Sequence, residues 1–399
     1  MKIKNLHIKE FKGLRDISIN FEKNDKPLDL VVLVGSNGSG KTRVLESILD
    51  YFQKIVNHIE NENVAGVFFE TDEQNCLNQG YNSNMLYLIL NNYNDENIVE
   101  RGRKVVEENL KVFPKIIYVP TETNFQKVEI ASPMLVREYK FLNIVDTGLI
   151  KDVPSYIATR IIEMANDQED TPMQEIRTAV FKEINEIFEI LDLDIKISGI
   201  SKNAKSIPIF TNSSGDKFDI NELSSGEKQL FLRTLAIKML NPENSIILID
   251  EPELSLHPKW QQRIVDVYRK IGKNNQIIIA THSPHILGSV KKDNIMLLDK
   301  DDDGKIVVRT GDELYDSYGQ PTERILEDIK GLKTTRNQEI FDKLEKIREM
   351  VNEDKYETDD FKKEYGDLKE ILGTMDEDIM LIDMEIQIRR KGLKNVKNK

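Results

Sequence analysis

The sequence predicts an α/β fold built on a parallel sheet, and three observations carry that prediction. First, the runs Leu30 to Val34, SIILID at 245–250 and QIIIAT at 276–281 are almost continuously apolar and β-branched, as strands buried on both faces must be. Second, the first run is followed by a glycine-rich turn and then by Val44, Leu45, Ile48, Leu49 and Phe52 at helical spacing. Third, the helical stretch PKWQQRIVDVYRKIG separates the other two runs. Buried strands alternating with helices pack as a parallel sheet covered on both sides.

The remaining elements follow in chain order. Residues 2–21 alternate with period two, Ile3, Leu6 and Ile8 leading to Ile17, Ile19 and Phe21, which predicts a hairpin or two sheet strands. Between about 60 and 130 the short runs VAGVFF, MLYLIL and KIIYVP, separated by Asn, Asp and Gly, predict a small antiparallel β lobe. Residues 134–195 read as helical; Ile176, Val180, Ile184, Ile187, Phe188 and Leu191 line one face, with Pro172 as a first-turn proline. The segment NIMLLDKDDDGKIVVRTG reads as a hairpin turning at Asp303 and Gly304. From 320 the chain becomes charged and helical. One stripe carries Ile340, Phe341, Leu344, Ile347 and Val351, another Phe361, Tyr365, Leu368 and Leu372. The predicted organisation is a head over 1–310, containing the β lobe and a helical lobe at about 131–235, followed by a helical, partner-binding region over 311–399.

Composition limits the function classes. With 56 basic against 69 acidic residues the net charge is −13, so the bulk field repels nucleic acid and any such contact needs a local patch. The basic end, Arg389, Arg390, Lys391, Lys394, Lys397 and Lys399, is one candidate; a frayed, solvated tail is the other reading. The single cysteine, Cys76, excludes an internal disulfide and a cysteine-only zinc site. No apolar run is long enough for a signal peptide core or a membrane span, so the expectation is a cytoplasmic protein with no membrane partner.

The chemistry concentrates at three places. GSNGSGKT, comprising Gly35, Ser36, Asn37, Gly38, Ser39, Gly40, Lys41 and Thr42, follows a strand and opens a helix, the context a phosphate loop requires. Its amides would converge on phosphate oxygens, Lys41 would reach the β- and γ-phosphates, and Thr42 would hold magnesium. The run IILIDEPELSLHP ends a buried strand in Asp250 and Glu251, placing two carboxylates at the ligand-binding edge of such a sheet. Asp250 would help hold magnesium, and Glu251 would polarise the attacking water. His282, at the end of the next strand, would bond the γ-phosphate, whereas His285 reads as packing or capping. No base-reading element is recognisable, so GTP stays open beside ATP.

The stretch LSSGEKQ, Leu223 to Gln229, resembles the signature motif of ABC-type ATPases. The order of phosphate loop, signature, acidic strand end, LSLHP loop and THS histidine is similar to the ATPase heads of that family, in its SMC, RecF and OLD-like branch. FKGL near the start fits the same branch. The resemblance implies that the signature covers ATP held by a second copy, so that two ATP molecules join two heads in a homodimer or higher oligomer. Ser224 would bond the γ-phosphate and Gly226 would allow close backbone approach, while Ser225 stands where many relatives have glycine. A plain helix cap made by Ser224 or Ser225 is compatible with the same residues. His257 in LSLHP would belong to the loop communicating between sites, and Gln126 in YVPTETNFQ would supply the loop glutamine.

Branch membership follows from what is missing. About 180 residues separate Lys41 from Leu223, without the sustained heptads that long coiled-coil arms need. Asp301, Asp302 and Asp303 read as a solvated turn rather than a Toprim metal site, and no Cys/His cluster suggests an HNH nuclease. The whole is similar to ATPase subunits of Septu-type and retron-associated anti-phage systems. That resemblance implies an ATPase controlling a separate HNH-type nuclease, with a reverse transcriptase and RNA–DNA hybrid as further partners in the retron case. The alternative is a RecF- or SMC-like DNA-repair ATPase acting as an ATP-dependent clamp on DNA.

Overall fold

The computed structural model describes residues 1–56, 64–65, 69–70, 114–121, 140–201, 207–301 and 303–397. The chain forms two compact units, Met1–Ile325 and Leu326–Lys399. Residues 311–325, expected with the tail, belong to the first unit, where Ser317 Oγ donates to the Val290 carbonyl at 3.0 Å and the Gly319 amide to the Gly288 carbonyl at 2.9 Å.

A seven-stranded sheet organises the first unit. Its order is Leu142–Ile144, Ile116–Val119, Ile246–Asp250, Gln276–Ala280, Leu30–Gly35, Ile295–Lys300 and Ile306–Thr310. The first six run parallel, and the last pairs antiparallel with its neighbour. Leu30–Gly35, Ile246–Asp250 and Gln276–Ala280 are buried along their whole length, which explains their unbroken apolar character. The strand Ile116–Val119, read with the β lobe from sequence, lies here instead; all four of its residues are buried, so a central place fits its composition better than a peripheral one. The phosphate-loop helix Lys41–Val56 buries Val44, Leu45, Ile48, Leu49 and Phe52 against the sheet, as its spacing requires.

The N-terminal hairpin forms as expected. Asn5–Phe11 pairs antiparallel with Leu14–Asn20, and Lys12 (φ 45°) with Gly13 (φ 87°) supplies the two left-handed residues a tight hairpin turn demands. Val64–Ala65 adds to this hairpin and Phe69–Glu70 pairs with Lys2–Ile3, while the expected strand at MLYLIL and Cys76 fall outside the described residues. The lobe expected to be helical over 131–235 does contain the helices Thr147–Asp167 and Met173–Phe188, and Ile176, Val180, Ile184, Ile187 and Phe188 are buried. It also contains a three-stranded antiparallel sheet, Lys196–Ile200, Pro208–Thr211 and Lys217–Asp219, whose short strands carry too weak an alternation to be read in sequence. Pro172 stands at the N-cap position, one residue before the first turn, with no side-chain capping bond. Asp301 and Asp303 stand in a hairpin turn, Asp301 accepting from the amides of Asp303 and Lys305 with Gly304 at φ 77°, while Asp302 lies outside the described residues.

The second unit packs the helices Gln338–Asn352, Asp359–Leu372 and Glu377–Lys397 around a core that includes Leu344, Ile347, Val351, Phe361, Tyr365, Leu368, Ile379, Ile382 and Ile386. Asn337 and Thr358 cap the first two by accepting amide hydrogens. Arg389 pairs with Glu385 and Asp354, and Arg390 with Glu357. These two members of the basic end are therefore already engaged in local ion pairs.

A nucleotide site at the sheet edge

Adjacent parallel strands deliver the candidate side chains to one edge. The phosphate loop leaves Leu30–Gly35, Thr121 follows Ile116–Val119, Asp250 ends Ile246–Asp250, and Thr281 and His282 follow Gln276–Ala280. Their common direction puts every carboxyl end, and every loop that leaves it, on the same side.

The phosphate loop is built on glycine geometry. A Cβ on Gly35 would lie 2.3 Å from the Leu298 carbonyl and 2.5 Å from Ser39 Oγ, and one on Gly40 (φ 97°) would lie 2.6 Å from Leu14 Cδ2. Only glycine permits both approaches. Lys41 is buried and its Nζ donates to the Gly35 and Ser36 carbonyls at 3.2 Å each, so the ammonium is aimed back across its own loop. The helix that begins at Lys41 directs its amide end, with its partial positive charge, toward the same place.

Two hydroxyls hold Asp250. Thr42 Oγ1 lies 3.0 Å from both carboxylate oxygens, and Thr121 Oγ1 donates to Oδ2 at 2.6 Å. Burial raises the Asp250 pKa, opposed by these two donors and by the Lys41 and Arg233 charges. Among the described residues no group of three His, Cys, Asp or Glu side chains is arranged to hold a metal. One carboxylate and one hydroxyl beside a phosphate loop are nevertheless the hard-oxygen donor set that magnesium shares with nucleotide phosphates, so Thr42 and Asp250 fit that ion.

Glu251 sits in the left-handed region at φ 46°, a conformation that costs a non-glycine residue about 1–3 kcal/mol and concentrates at functional sites. Its amide donates to the Ala280 carbonyl at 2.8 Å, and its Oε1 lies 3.4 Å from His282 Nε2. Burial, and next the neighbouring Glu253 charge, push the Glu251 carboxyl up to about 8. Glu253 is itself buried: Oε1 accepts from Thr281 Oγ1 at 2.6 Å and from the His282 amide at 2.8 Å. Glu253 thereby fixes the backbone on which His282 stands.

The signature segment lies on the helix Ser225–Met239. Ser224 is its N-cap in a capping box, donating to Glu227 Oε2 at 2.6 Å and accepting from the Glu227 amide at 3.3 Å. Gly226 backs onto the LSLHP loop of the same chain, where a Cβ would lie 2.5 Å from the Ser255 carbonyl. Signature and LSLHP loops are thus packed together within one head. His257 caps the short helix Pro258–Gln261 by accepting from the Lys259 amide at 3.2 Å. His285 faces Thr322 Oγ1 at 3.4 Å.

Two family models match the chain. One, described as "AAA ATPase domain", covers residues 1–141, and the other, described as "AAA domain, putative AbiEii toxin, Type IV TA system", covers residues 128–288. A Septu protein, PtuA of Bacillus thuringiensis, is 27% identical over 386 residues, covering 88% of this chain and 91% of that protein. A protein of Vibrio cholerae named "Retron Vc95 probable ATPase" is 23% identical, covering 75% of this chain and 74% of its own. This chain is a relative of both proteins. Among solved structures, an Smc head bound to the C-terminal winged-helix domain of ScpA matches with a TM-score of 0.45 at 15% identity, covering 78% of this chain and 99% of that one.

Of the residues anticipated in this ATPase relative, Lys41, Thr42, Asp250, Glu251 and His282 meet at the sheet edge, on the bonds given above. Gln126 lies outside the described residues. Sequence reasoning missed Thr121, Glu253 and Arg233. Placing KIIYVP in the central sheet would have exposed Thr121 as a strand-end residue, and Glu253 stands only two positions beyond Glu251. Nothing local marks Arg233, one of three cations, with Lys228 and Lys238, on a helix that is buried over most of its length.

Proposed function

We propose that this chain binds ATP with magnesium at the sheet edge, hydrolyses it, and works as a pair of heads joined around nucleotide to control a partner nuclease in anti-phage defence. The observation that carries the chemical part is the convergence of the Thr42 and Thr121 hydroxyls on Asp250 beside a phosphate loop. In this reading the loop amides and Lys41 grip the triphosphate. Thr42 and Asp250 would hold magnesium, which would supply charge neutralisation to the triphosphate. Glu251 orients and deprotonates the attacking water, and His282 donates toward the γ-phosphate. Ser224, Ser225 and Gly226 face the nucleotide of the second copy, with the amide end of their helix directed at the anion.

The defence role is supported by similarity to a Septu protein over most of both chains and to a retron ATPase. Its effector would be a separate HNH-type nuclease, joined in a retron setting by a reverse transcriptase and its RNA–DNA hybrid. Among the described residues no helix is long and apolar enough to cross a membrane, and the proposed site of action is the cytoplasm.

The test is Glu251→Gln. It should bind ATP, turn over at least a hundredfold more slowly, and accumulate as nucleotide-dependent dimers on a sizing column. A variant that remains monomeric with saturating ATP and hydrolyses at the ordinary rate overturns the reading. Tagged protein purified with its genomic neighbours should bring down a nuclease; recovery of DNA ends alone would favour the DNA-clamp alternative.

A further inference from the structure

Arg233 is among the largest fully buried side chains of the molecule, at 1% exposure, and the chemistry above does not use it. It lies on Ser225–Met239, the helix whose first turn is the signature. Its guanidinium leaves that helix for the sheet edge and grips three main-chain carbonyls. NH2 donates to Pro120 at 2.7 Å and to Thr121 at 3.0 Å, and NH1 donates to Glu251 at 3.3 Å. Each carbonyl belongs to a segment that positions a reacting group. Thr121 presents the hydroxyl that holds Asp250, and Pro120 fixes the strand end that delivers it. Glu251 is the residue in the left-handed conformation, with its amide tied to Ala280 and its carbonyl to Arg233.

A buried cation desolvated for packing alone would be replaceable by an apolar side chain of similar volume. Here the planar fork does what no apolar residue, and no single ammonium, can do. It spans two strand ends and fixes their spacing from a third element. The fork is also near the buried acids electrostatically, since Asp250 and Glu253 both act to keep it charged against the effect of burial.

We propose that Arg233 is a positioning residue for hydrolysis, transmitting engagement of the signature helix to the Thr121–Asp250 bond and to the Glu251 backbone of the same head. The inference rests on the proposed function, because it assumes that the signature contacts nucleotide. When the first turn of the helix is drawn onto a partner's triphosphate, the guanidinium moves with the helix and resets Pro120, Thr121 and Glu251 together. Each head then becomes competent at its own site by closing the other's.

Arg233→Lys keeps the charge and removes the fork. Full-length protein should melt within a few degrees of the unaltered chain, bind ATP with a KM changed less than about twofold, and lose at least tenfold in kcat. Ser224→Ala, made alone and in combination, tests transmission. If Arg233 carries the signal, the double variant is no slower than the slower single variant; independent roles multiply the two losses. An Arg233→Lys chain with unaltered kcat, one whose loss lies wholly in KM, or multiplicative losses in the double variant would each overturn the inference. Arg233→Met, which leaves three carbonyls without the donor, should be slower still, and a faster Met than Lys variant also counts against it. Absence of any ATP hydrolysis by the unaltered chain strikes the proposed function itself, which separates the two failures.

Discussion

Glu251 should make the reaction strongly pH-dependent. Its carboxyl is pushed up to about 8, first by burial and then by Glu253. Glu253 cannot turn away, because its Oε1 is held by Thr281 Oγ1 and the His282 amide. A general base acts only when ionised, and kcat/KM reports the protonation state of the free protein. With a pKa near 8, roughly one molecule in ten carries the ionised base at pH 7 and about nine in ten at pH 9, so kcat/KM should climb about tenfold over that interval and then level. The folding sign is opposite. The group is raised from 4.5, so between about 4.5 and 8 the folded chain binds more protons than the unfolded chain. Its contribution to stability is therefore present at low pH and lost as pH rises through that window, and Glu251→Gln should flatten the decline. Glu253→Gln keeps an oxygen for Thr281 and His282, removes the adjacent charge, and should shift the rate profile to lower pH. Initial rates from pH 6 to 9.5, with urea melts alongside, decide the matter. A flat kcat/KM profile, or an alkaline shift in Glu253→Gln, would refute the reasoning.

Two further outcomes follow from contacts at the site. Thr121→Val removes the 2.6 Å bond to Asp250 and leaves a buried carboxylate with one donor fewer, so urea melts should show a loss of about 1–3 kcal/mol and hydrolysis should require more magnesium for half-maximal rate. Gly226→Ala puts a methyl group 2.5 Å from the Ser255 carbonyl, and since that neighbour is backbone the chain should lose about 1–3 kcal/mol even without nucleotide. Thermal or urea melts of the nucleotide-free protein measure this directly, and an unchanged melt would show that the signature and LSLHP loops do not bear on one another.

How much of this was legible depended on whether a residue's role is local. The phosphate loop could be read because strand, glycines, lysine and helix are consecutive, even though the close approaches that demand glycine at 35 and 40 come partly from the distant Leu298 carbonyl and the Leu14 side chain. Asp250 and Glu251 were legible for the same reason, as the terminus of an apolar strand. Thr121 was hidden because its importance comes from which sheet its strand joins, and four apolar residues do not say whether they lie at a centre or in a side lobe. Arg233 was hidden more deeply: a cation on a helix with nearly every residue buried has no periodicity to betray it, and its three carbonyl partners lie more than a hundred residues away or across the sheet edge.

The signature shows why one motif can satisfy two physical descriptions. Ser224 caps its helix and Gly226 accommodates Ser255, both within the same head, so the features that suit an anion are already required for folding. These demands are compatible because a capping box orders the first turn while Ser224 and Ser225 stay exposed at its surface. A nucleotide on a second head would meet a surface whose shape was fixed before contact, and binding would cost little ordering entropy. The same rigidity gives the surface leverage: a first turn locked to Ser255 on one side and to the Arg233 fork farther along cannot shift without moving the LSLHP loop and the acidic edge with it.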